Sequence, residues 1–204
     1  MKCRHCEKPL HNKFLDLGFS PIANAFLDAE KLLIPELYYP LKVSVCECCW
    51  LVQTHDFARQ TLLFNDDYVY FSSISSSWLT HAEKYVFNII SEFELGSSSF
   101  VIEIGSNDGY LLKNFVMRGI PCLGFEPTKS TATAAEELGI PVVSEFFTEV
   151  QGLKMASKKL QGDLIICNNV YAHVPDINDF TKGLKAALKP DGIISMEFHM
   201  LCGC

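Results

Sequence analysis

The strongest constraint on the fold is an alternation of strand-like and helix-like segments that begins at Phe100. Apolar runs of strand length recur along this region, namely FVIEI, PCLGFE, IPVVSEF, GDLIICNNV and GIISMEF. Segments of helical spacing separate them: DGYLLKNFVMRG, STATAAEELG, residues 149–160, and INDFTKGLKAALKPDG, ended by Pro190. Such alternation is typical of βαβ units. It predicts an α/β fold with about five parallel strands and helices on both faces.

Four cysteines near the N-terminus form two C-x-x-C pairs, Cys3 with Cys6 and Cys46 with Cys49. Two such pairs can supply four thiolates in tetrahedral geometry, which is the usual closed structural zinc site. Rubredoxin-like iron is the minor alternative. A segment this small cannot build a sufficient apolar core, so a bound metal would explain how it folds.

The other candidate metal ligands are interpreted differently. Cys48 is an extra thiol in the second pair, and His5 is a neighbour of the first pair, not a ligand, because Cys3 and Cys6 already fit. Cys122 and Cys167 lie in apolar strand-like runs and are predicted to be inert core thiols. The cysteines are not interpreted as a disulfide framework, because the chain shows no export signal and the spacing of the cysteine pairs indicates a metal site instead.

The chain is predicted to divide into a zinc-binding module at residues 1–55, a helical connector at 56–98 and an α/β domain at 99–198. In the module, LKVSV and WLVQT are expected to be short strands that flank the second cysteine pair. In the connector, SSSWLTHAEKYVFNIISEF has apolar residues at helical spacing, and its serines are candidate N-caps.

Composition limits the partners that we expect. The formal net charge is −7, which disfavours nucleic acid because phosphate binding needs a basic face. No apolar run is long enough to span a bilayer, and MKCRHCEKPL has no apolar signal region. We therefore expect a cytoplasmic protein with no membrane partner.

A glycine turn joins the first strand of the α/β domain to its helix, in VIEIGSNDGYLL. A dinucleotide fingerprint would need a second glycine where Asn107 stands and a third where Tyr110 stands. A pyrophosphate would also meet the carboxylate of Glu103. A dehydrogenase is therefore the weakest interpretation of this turn.

The pattern E-x-G-x-x-x-G better suits S-adenosylmethionine, which has no phosphate and carries an ammonium and a sulfonium. A carboxylate at Glu126, at the end of the second strand in GFEP, can accept both ribose hydroxyls. The alternative for the two glycines is a tight βα turn without a ligand. The predicted cofactor-binding residues are Glu103, Gly105, Ser106, Asn107, Asp108, Gly109, Glu126, Pro127, Asn168 and Asn169.

Polar residues follow the fourth strand in CNNVYAHVPD, at the sheet edge where ligands of parallel sheets bind. Asn168 and Asn169 come first, and His173 and Asp176 follow. For His173, a functional and a structural role are equally supported. For Asp176 we favour an N-cap of the next helix.

Five motifs, in order, resemble the zinc-containing, S-adenosylmethionine-dependent deoxysugar C-methyltransferases: LGFSPIANAFL, YYPLKVSVCECCWLVQ, YVYFSSISSSW, VIEIGSNDGYLLK and NNVYAHVPDINDF. The resemblance implies a four-cysteine zinc module before a Rossmann-like methyltransferase sheet. It implies a nucleotide-linked 4-keto-6-deoxysugar as substrate, methylated at sugar carbon 3 through an enolate. It also implies that Tyr70 and His173 are catalytic and line the sugar pocket; the alternative for Tyr70 is a core aromatic.

The chain departs from that family after GIISMEF, where it reads EFHMLCGC in place of EFPH. The family's expected base, in a later Tyr-His-Glu-His-type motif, is absent, and so are its last two strands and its C-terminal domain. We expect a truncated chain whose residues 199–204 are a frameshifted tail, since loss of one base from a proline codon converts Phe-Pro-His to Phe-His-Met. Such an N-terminal fragment would have weak or no activity alone and poor solubility because of its exposed edge strand. The alternative is a non-catalytic half of a split complex, with a separately encoded C-terminal half as partner.

Overall fold

The structure is a computed structural model that describes residues 1–55, 57, 63–64 and 68–198. The predicted tail at 199–204 lies outside the described residues. The chain forms two compact units. The N-terminal unit comprises Met1–Tyr70 with Pro175–Asn178, and the C-terminal unit comprises Phe71–Val174 with the described residues from Asp179 onward. The domain boundaries expected after residues 55 and 98 stay predictions.

The N-terminal unit contains an antiparallel sheet of three strands, β1 (Asn12–Ser20), β2 (Tyr39–Val45) and β3 (Val52–Thr54), in the order β1-β2-β3. β2 and β3 confirm the strands expected in LKVSV and WLVQT. The sequence did not predict β1. Its pairing with β2 shifts register twice, and these irregularities break the period-two pattern by which strands are recognised.

The C-terminal unit contains a parallel sheet of five strands in the order β6-β5-β4-β7-β8. The strands are β4 (Val101–Ile104), β5 (Cys122–Phe125), β6 (Val142–Val143), β7 (Gly162–Asn168) and β8 (Leu188–Glu197). This confirms the predicted sheet. β8 is an outer strand of the sheet within the described part of the chain, and the expected poor solubility stays a prediction.

The described helices of four residues or more are α1 (Ser76–Glu92), α2 (Lys113–Val116), α3 (Lys129–Glu137), α4 (Glu149–Ser157) and α5 (Ile177–Ala187). Short 3-10 turns occupy Lys31–Leu33, Ser72–Ile74 and Tyr171–His173. Two apolar clusters form the core, one containing side chains of α1 and the other side chains of α5. Cys122 belongs to the first cluster and Cys167 to the second, as predicted.

Helix α1 forms where the connector shows helical spacing. Its buried face is built from Ala82, Val86 and Ile89, which recur every three or four residues. The side chain of Ser75 accepts a hydrogen bond from the amide of Trp78, which confirms the expected serine N-cap.

Two helices differ from the sequence prediction. α2 has four residues, although DGYLLKNFVMRG suggested a longer helix; the side-chain amide of Asn114 donates to the carbonyls of Tyr110 and Leu111 and so competes with helical bonding. α5 ends at Ala187, before Pro190, because the residue ahead of a proline disfavours helical backbone. None of the described helices is both long and apolar enough to cross a membrane.

Candidate functional site

The predicted metal ligands converge in the N-terminal unit. The sulfur atoms of Cys3, Cys6, Cys46 and Cys49 all lie within 4.8 Å of one another. The sulfurs of Cys3 and Cys49 are 3.6 Å apart, and those of Cys6 and Cys46 are 3.5 Å apart. A tetrahedral zinc site with bonds of about 2.3 Å has sulfur–sulfur edges of roughly 3.8 Å. The four thiols therefore fit a zinc ion.

The turns that carry the two cysteine pairs, Cys3 with Cys6 and Cys46 with Cys49, have the same backbone conformation. The amide of Cys3 bonds the carbonyl of Lys8, and that of Cys46 bonds the carbonyl of Leu51. The residue four positions after each leading cysteine has positive φ, 60° at Glu7 and 63° at Trp50. Two matching knuckles thus bring both cysteine pairs to one point.

Polar groups around the cluster lower the pKa of two of its four thiols, Cys3 and Cys46, and so favour their thiolate forms. The side-chain amide of Gln53 donates to the sulfur of Cys3 at 3.2 Å. Burial raises the pKa of the Cys3 thiol, but hydrogen bonds from the Cys6 amide, Gln53 and the His5 amide outweigh burial and lower that pKa to about 6. A thiolate is the form that binds zinc. The side chains of Cys48 and His5 are exposed and outside the four-sulfur group, as predicted.

The glycine turn of the C-terminal unit follows β4 directly. Gly105 and Gly109 have φ of 71° and 76°, and Asn107 between them has φ of 49°. A Cβ at Gly109 would collide with Ile140 and lie 3.1 Å from the Cβ of Ala135. Glycine is therefore required both by the backbone angle and by the close approach of α3.

The carboxylate of Glu126 is fixed beside this turn. Its two oxygens accept hydrogen bonds from the amides of Asn107 and Thr128, each at 2.9 Å. Each oxygen keeps a further lone pair, so the carboxylate can still accept two hydroxyls. This placement fits the predicted role of Glu126 in holding a ribose.

The side chains of the turn also bind the chain before α1. The Oδ1 atom of Asn107 accepts from the amide of Ser72 at 2.8 Å, and Oδ2 of Asp108 accepts from the amide of Ser73 at 3.0 Å. One side-chain oxygen of Asn107 and one of Asp108 are thus already engaged by the protein. Sequence patterns gave no sign of this tether, because it joins residues 35 positions apart.

Several buried acceptor atoms at the turn and the neighbouring strand ends have no hydrogen-bond partner among the described residues. They are Glu103 Oε2, Asp108 Oδ1 and Asn168 Oδ1. Burial, reinforced by the charges of Glu126 and Asp108, holds the pKa of the Glu103 carboxyl well above its usual range. A buried group that lacks a partner is unfavourable, so these atoms favour a ligand rich in donors or positive charge.

The other predicted residues differ in setting. Ser106 is buried, and its hydroxyl also lacks a partner within the described chain. Asn169 has positive φ, and its amide bonds the carbonyl of Glu197 at 2.6 Å. Pro127 lies between Glu126 and Thr128, whose amide Glu126 binds.

The predicted catalytic residues lie in different units. His173 ends the short turn after β7 and is exposed. Tyr70 belongs to the N-terminal unit and is 49% exposed, so it is not a core aromatic. Asp176 accepts from the amide of Asn178 at 3.1 Å, one residue into α5, which confirms the expected N-cap.

The contacts between α1 and β8 were not predicted from the sequence. The hydroxyl of Tyr85 donates to Ser195 Oγ at 2.7 Å, and His81 Nε2 lies 3.0 Å from Glu197 Oε2. Burial is the main cause that raises the pKa of Tyr85 to about 12, so its phenol stays neutral. The available signal was the four-residue spacing of His81 and Tyr85 on one helix face.

Comparison with known proteins agrees with the two kinds of site. Residues 3–64 match a family model described as "Putative zinc binding domain", and residues 102–194 match one described as "Methyltransferase domain". The crystal structure of the PH0226 protein from Pyrococcus horikoshii OT3 has the same fold, with a TM-score of 0.51 and 15% identity, covering 66% of this chain and 60% of that chain. The fold, the four-cysteine site and the two matches define the class: a domain similar to a zinc-binding domain, followed by a Rossmann-like domain similar to a methyltransferase domain.

A curated relative is more specific. The chain is 31% identical over 203 residues to the C-methyltransferase NovU of Streptomyces niveus. The alignment covers 98% of this chain and 47% of NovU, so the chain spans about half the length of that relative.

Proposed function

We propose that this chain binds S-adenosylmethionine and takes part in methylation of a carbon atom in a nucleotide-linked 4-keto-6-deoxysugar, at sugar carbon 3. The methyltransferase domain supports the donor, and similarity to a C-methyltransferase supports carbon as the acceptor atom. The sugar substrate rests on the motif resemblance described above.

The observation that carries the donor proposal is the excess of buried acceptors at the glycine turn. Glu103, Asp108 and Asn168 each present an oxygen without a partner in the described part of the chain. This set suits the ammonium of the methionyl group and disfavours a pyrophosphate, whose charge would meet the acidic side chains of Glu103, Asp108 and Glu126. The two amides that orient Glu126 support its proposed role in accepting the ribose hydroxyls.

The donor supplies an electrophilic methyl group when bound. The chain's own residues then have to orient the sugar and move a proton. The ketone at carbon 4 acidifies the proton on carbon 3, so a base that removes it generates an enolate. Groups that donate to the ketone oxygen would stabilise the developing charge, and we propose His173 and Tyr70 for this role.

Zinc has a structural role in this proposal. The four-thiolate site leaves no open position for a substrate, which is typical of structural and not catalytic zinc. We propose that Cys3, Cys6, Cys46 and Cys49 hold it.

Calorimetry of the metal-loaded chain tests the donor site directly. S-adenosylhomocysteine is expected to bind, and a nicotinamide or flavin dinucleotide is not. Uptake of the dinucleotide without uptake of S-adenosylhomocysteine would refute the proposal. Mass spectrometry of a 4-keto-6-deoxy nucleotide sugar, incubated with the chain and S-adenosylmethionine, tests the acceptor.

The second candidate function is a donor-binding half of a split methyltransferase. The absence of turnover despite tight binding of S-adenosylhomocysteine would favour it, and restored turnover on addition of a separately produced C-terminal half would establish it. Turnover by the chain alone would exclude it.

A further inference from the structure

A short segment after β7 belongs to the N-terminal unit, although the residues on either side of it belong to the C-terminal unit. This segment is Pro175–Asn178. The side-chain amide of Asn178 donates to the carbonyl of His5 at 2.8 Å, and Asn178 Oδ1 lies 2.8 Å from His5 Nδ1. Because an amide oxygen only accepts, the Nδ1 atom is the donor in this second hydrogen bond. Asn178 thus binds both the main chain and the ring of one residue.

His5 belongs to the backbone of the metal site. It lies between two of the four cysteines, and its amide hydrogen-bonds the sulfur of Cys3. The amide of Arg4 donates to Gln53 Oε1 at 2.9 Å, and the side chain of Gln53 donates to the same sulfur at 3.2 Å. Once metal is bound, the backbone around a four-thiolate site is fixed by its ligands. The two groups that Asn178 binds are therefore ordered together with the metal site.

The segment continues the loop that carries His173. This loop leaves β7 at Asn168, whose Oδ1 atom is one of the buried acceptors without a partner in the described chain. His173 ends the short 3-10 turn, and its amide donates to the carbonyl of Val170 at 2.8 Å. Only four residues separate His173 from Asn178, and one of them is Pro175, whose ring fixes a backbone angle. The path of the loop is therefore restricted by β7 at one end and by Asn178 at the other.

The two hydrogen bonds of Asn178 are exposed to water. Exposed hydrogen bonds add little to overall stability because water can replace either partner, but they do lower the probability that a loop opens locally. We propose that Asn178 and His5 are positioning residues that couple the metal site to the loop after β7 and so set the position of His173; this rests on the proposed function. The connection from Asn178 to His173 is the polypeptide chain itself.

Amide exchange followed residue by residue tests this coupling. The metal-loaded chain is placed in D₂O, and NMR follows the amide of His173. Asn178→Ala removes both side-chain hydrogen bonds but keeps the main-chain bond to Asp176, and it is expected to speed this exchange about tenfold or more. His5→Ala removes only the ring bond and should give a smaller increase. The double variant should exchange like Asn178→Ala, because both bonds are already absent there.

A matched control separates this role from general damage to the N-terminal unit. The side chain of Asn12 donates to Glu47 Oε1 at 2.7 Å, next to the second cysteine pair, and this hydrogen bond is exposed as well. Asn12→Ala should therefore leave the exchange of the His173 amide unchanged. Elemental analysis should find about one zinc ion per chain in every variant, since no ligand is changed.

Two calorimetric titrations test the effect on ligands. Asn178→Ala is expected to bind S-adenosylhomocysteine within about twofold of wild type and a 4-keto-6-deoxy nucleotide sugar about five- to tenfold more weakly. A merely structural role would weaken both ligands or neither. Unchanged exchange of the His173 amide in Asn178→Ala would overturn the proposal, and so would unchanged sugar affinity despite faster exchange.

The two proposals fail in different ways. If the wild type binds both ligands but the His173 amide exchanges equally in wild type and Asn178→Ala, the coupling is refuted and the proposed function stands. If the wild type binds no sugar, the proposed acceptor is refuted, and the exchange of the His173 amide alone decides whether the loop is coupled to the metal site.

Discussion

At the scale of single residues, Glu126 has the clearest expected effect on ligand binding. Its carboxylate holds the amides of Asn107 and Thr128 and is proposed to accept the ribose hydroxyls. Glu126→Gln replaces one acceptor with a donor, and hydrogen bonds to charged groups contribute about 1.5–3 kcal/mol. We expect S-adenosylhomocysteine to bind about 10- to 100-fold more weakly in calorimetry. Glu137→Gln, an exposed site on α3, should leave affinity unchanged, and an equal loss there would contradict the assignment.

Glu103 links the same site to pH. Burial and two neighbouring carboxylates raise the pKa of Glu103 in the folded chain. Between its unfolded and folded pKa values the folded state binds more protons, so stability falls as pH rises through that window. Each unit by which the folded pKa exceeds the unfolded one corresponds to about 1.4 kcal/mol.

Glu103→Gln should therefore flatten the pH dependence of the free energy of unfolding. We expect the ligand-free variant to be more stable than wild type at neutral pH and no more stable below pH of about 4, where the wild-type carboxyl is protonated in both states. Urea titrations at several pH values measure this. Parallel pH curves for the two proteins would show that Glu103 is not the cause.

Two glycines of positive φ separate backbone strain from close packing. At Gly119, with φ of 68°, an added Cβ would meet nothing within 4 Å, whereas at Gly109 it would meet Ile140 and Ala135. We expect Gly119→Ala to lower the free energy of unfolding by about 1 kcal/mol and Gly109→Ala by about 2–4 kcal/mol. Equal losses in denaturant titrations would remove the packing argument for Gly109.

At the scale of elements, the zinc cluster is expected to determine whether the N-terminal unit folds. Cys46→Ser removes one of four ligands. The free energy of binding a structural zinc ion exceeds the net folding free energy of a small unit, so loss of the ion should unfold it. We expect this variant to lose bound zinc, and we expect its circular dichroism to show loss of the β-strand content contributed by β1–β3. Cys48→Ser is the control, since Cys48 is exposed and outside the cluster, and it should keep about one zinc ion per chain by elemental analysis. Retention of zinc by Cys46→Ser would refute the ligand set.

Some secondary-structure elements were predicted correctly from the sequence and others were not. Period and length were enough to predict the parallel strands and α1, because buried faces impose regular spacing. β1 was missed because bulges interrupt its alternation, and α2 was overextended because Asn114 competes for carbonyls. In the site, the cysteines, Glu126 and the glycine turn follow from local patterns. The hydrogen bond between Ser72 and Asn107 and the contact between His81 and Glu197 join segments that are distant in sequence. A local sequence pattern cannot predict such contacts.

At the scale of the whole molecule, the two units have separate sources of stability. The N-terminal unit is expected to depend on the four-sulfur cluster, while the C-terminal unit has two apolar clusters and the proposed donor site. Ligand binding stabilises only the unit that binds it, by about 2.7 kcal/mol at 100 times the dissociation constant. We expect calorimetric scans to show two transitions, one that a chelator removes and one that S-adenosylhomocysteine raises by several degrees. A single transition that shifts with both additives would show that the units unfold together.

The amides of Ser72 and Ser73 bind the side chains of the glycine turn, and α1 begins three residues later. A ligand that orders the side chains of Asn107 and Asp108 would therefore also order the N-terminus of α1. If a methyl donor binds to the turn, these two hydrogen bonds, each from a main-chain amide to a side-chain oxygen, would transmit its ordering effect to the start of α1.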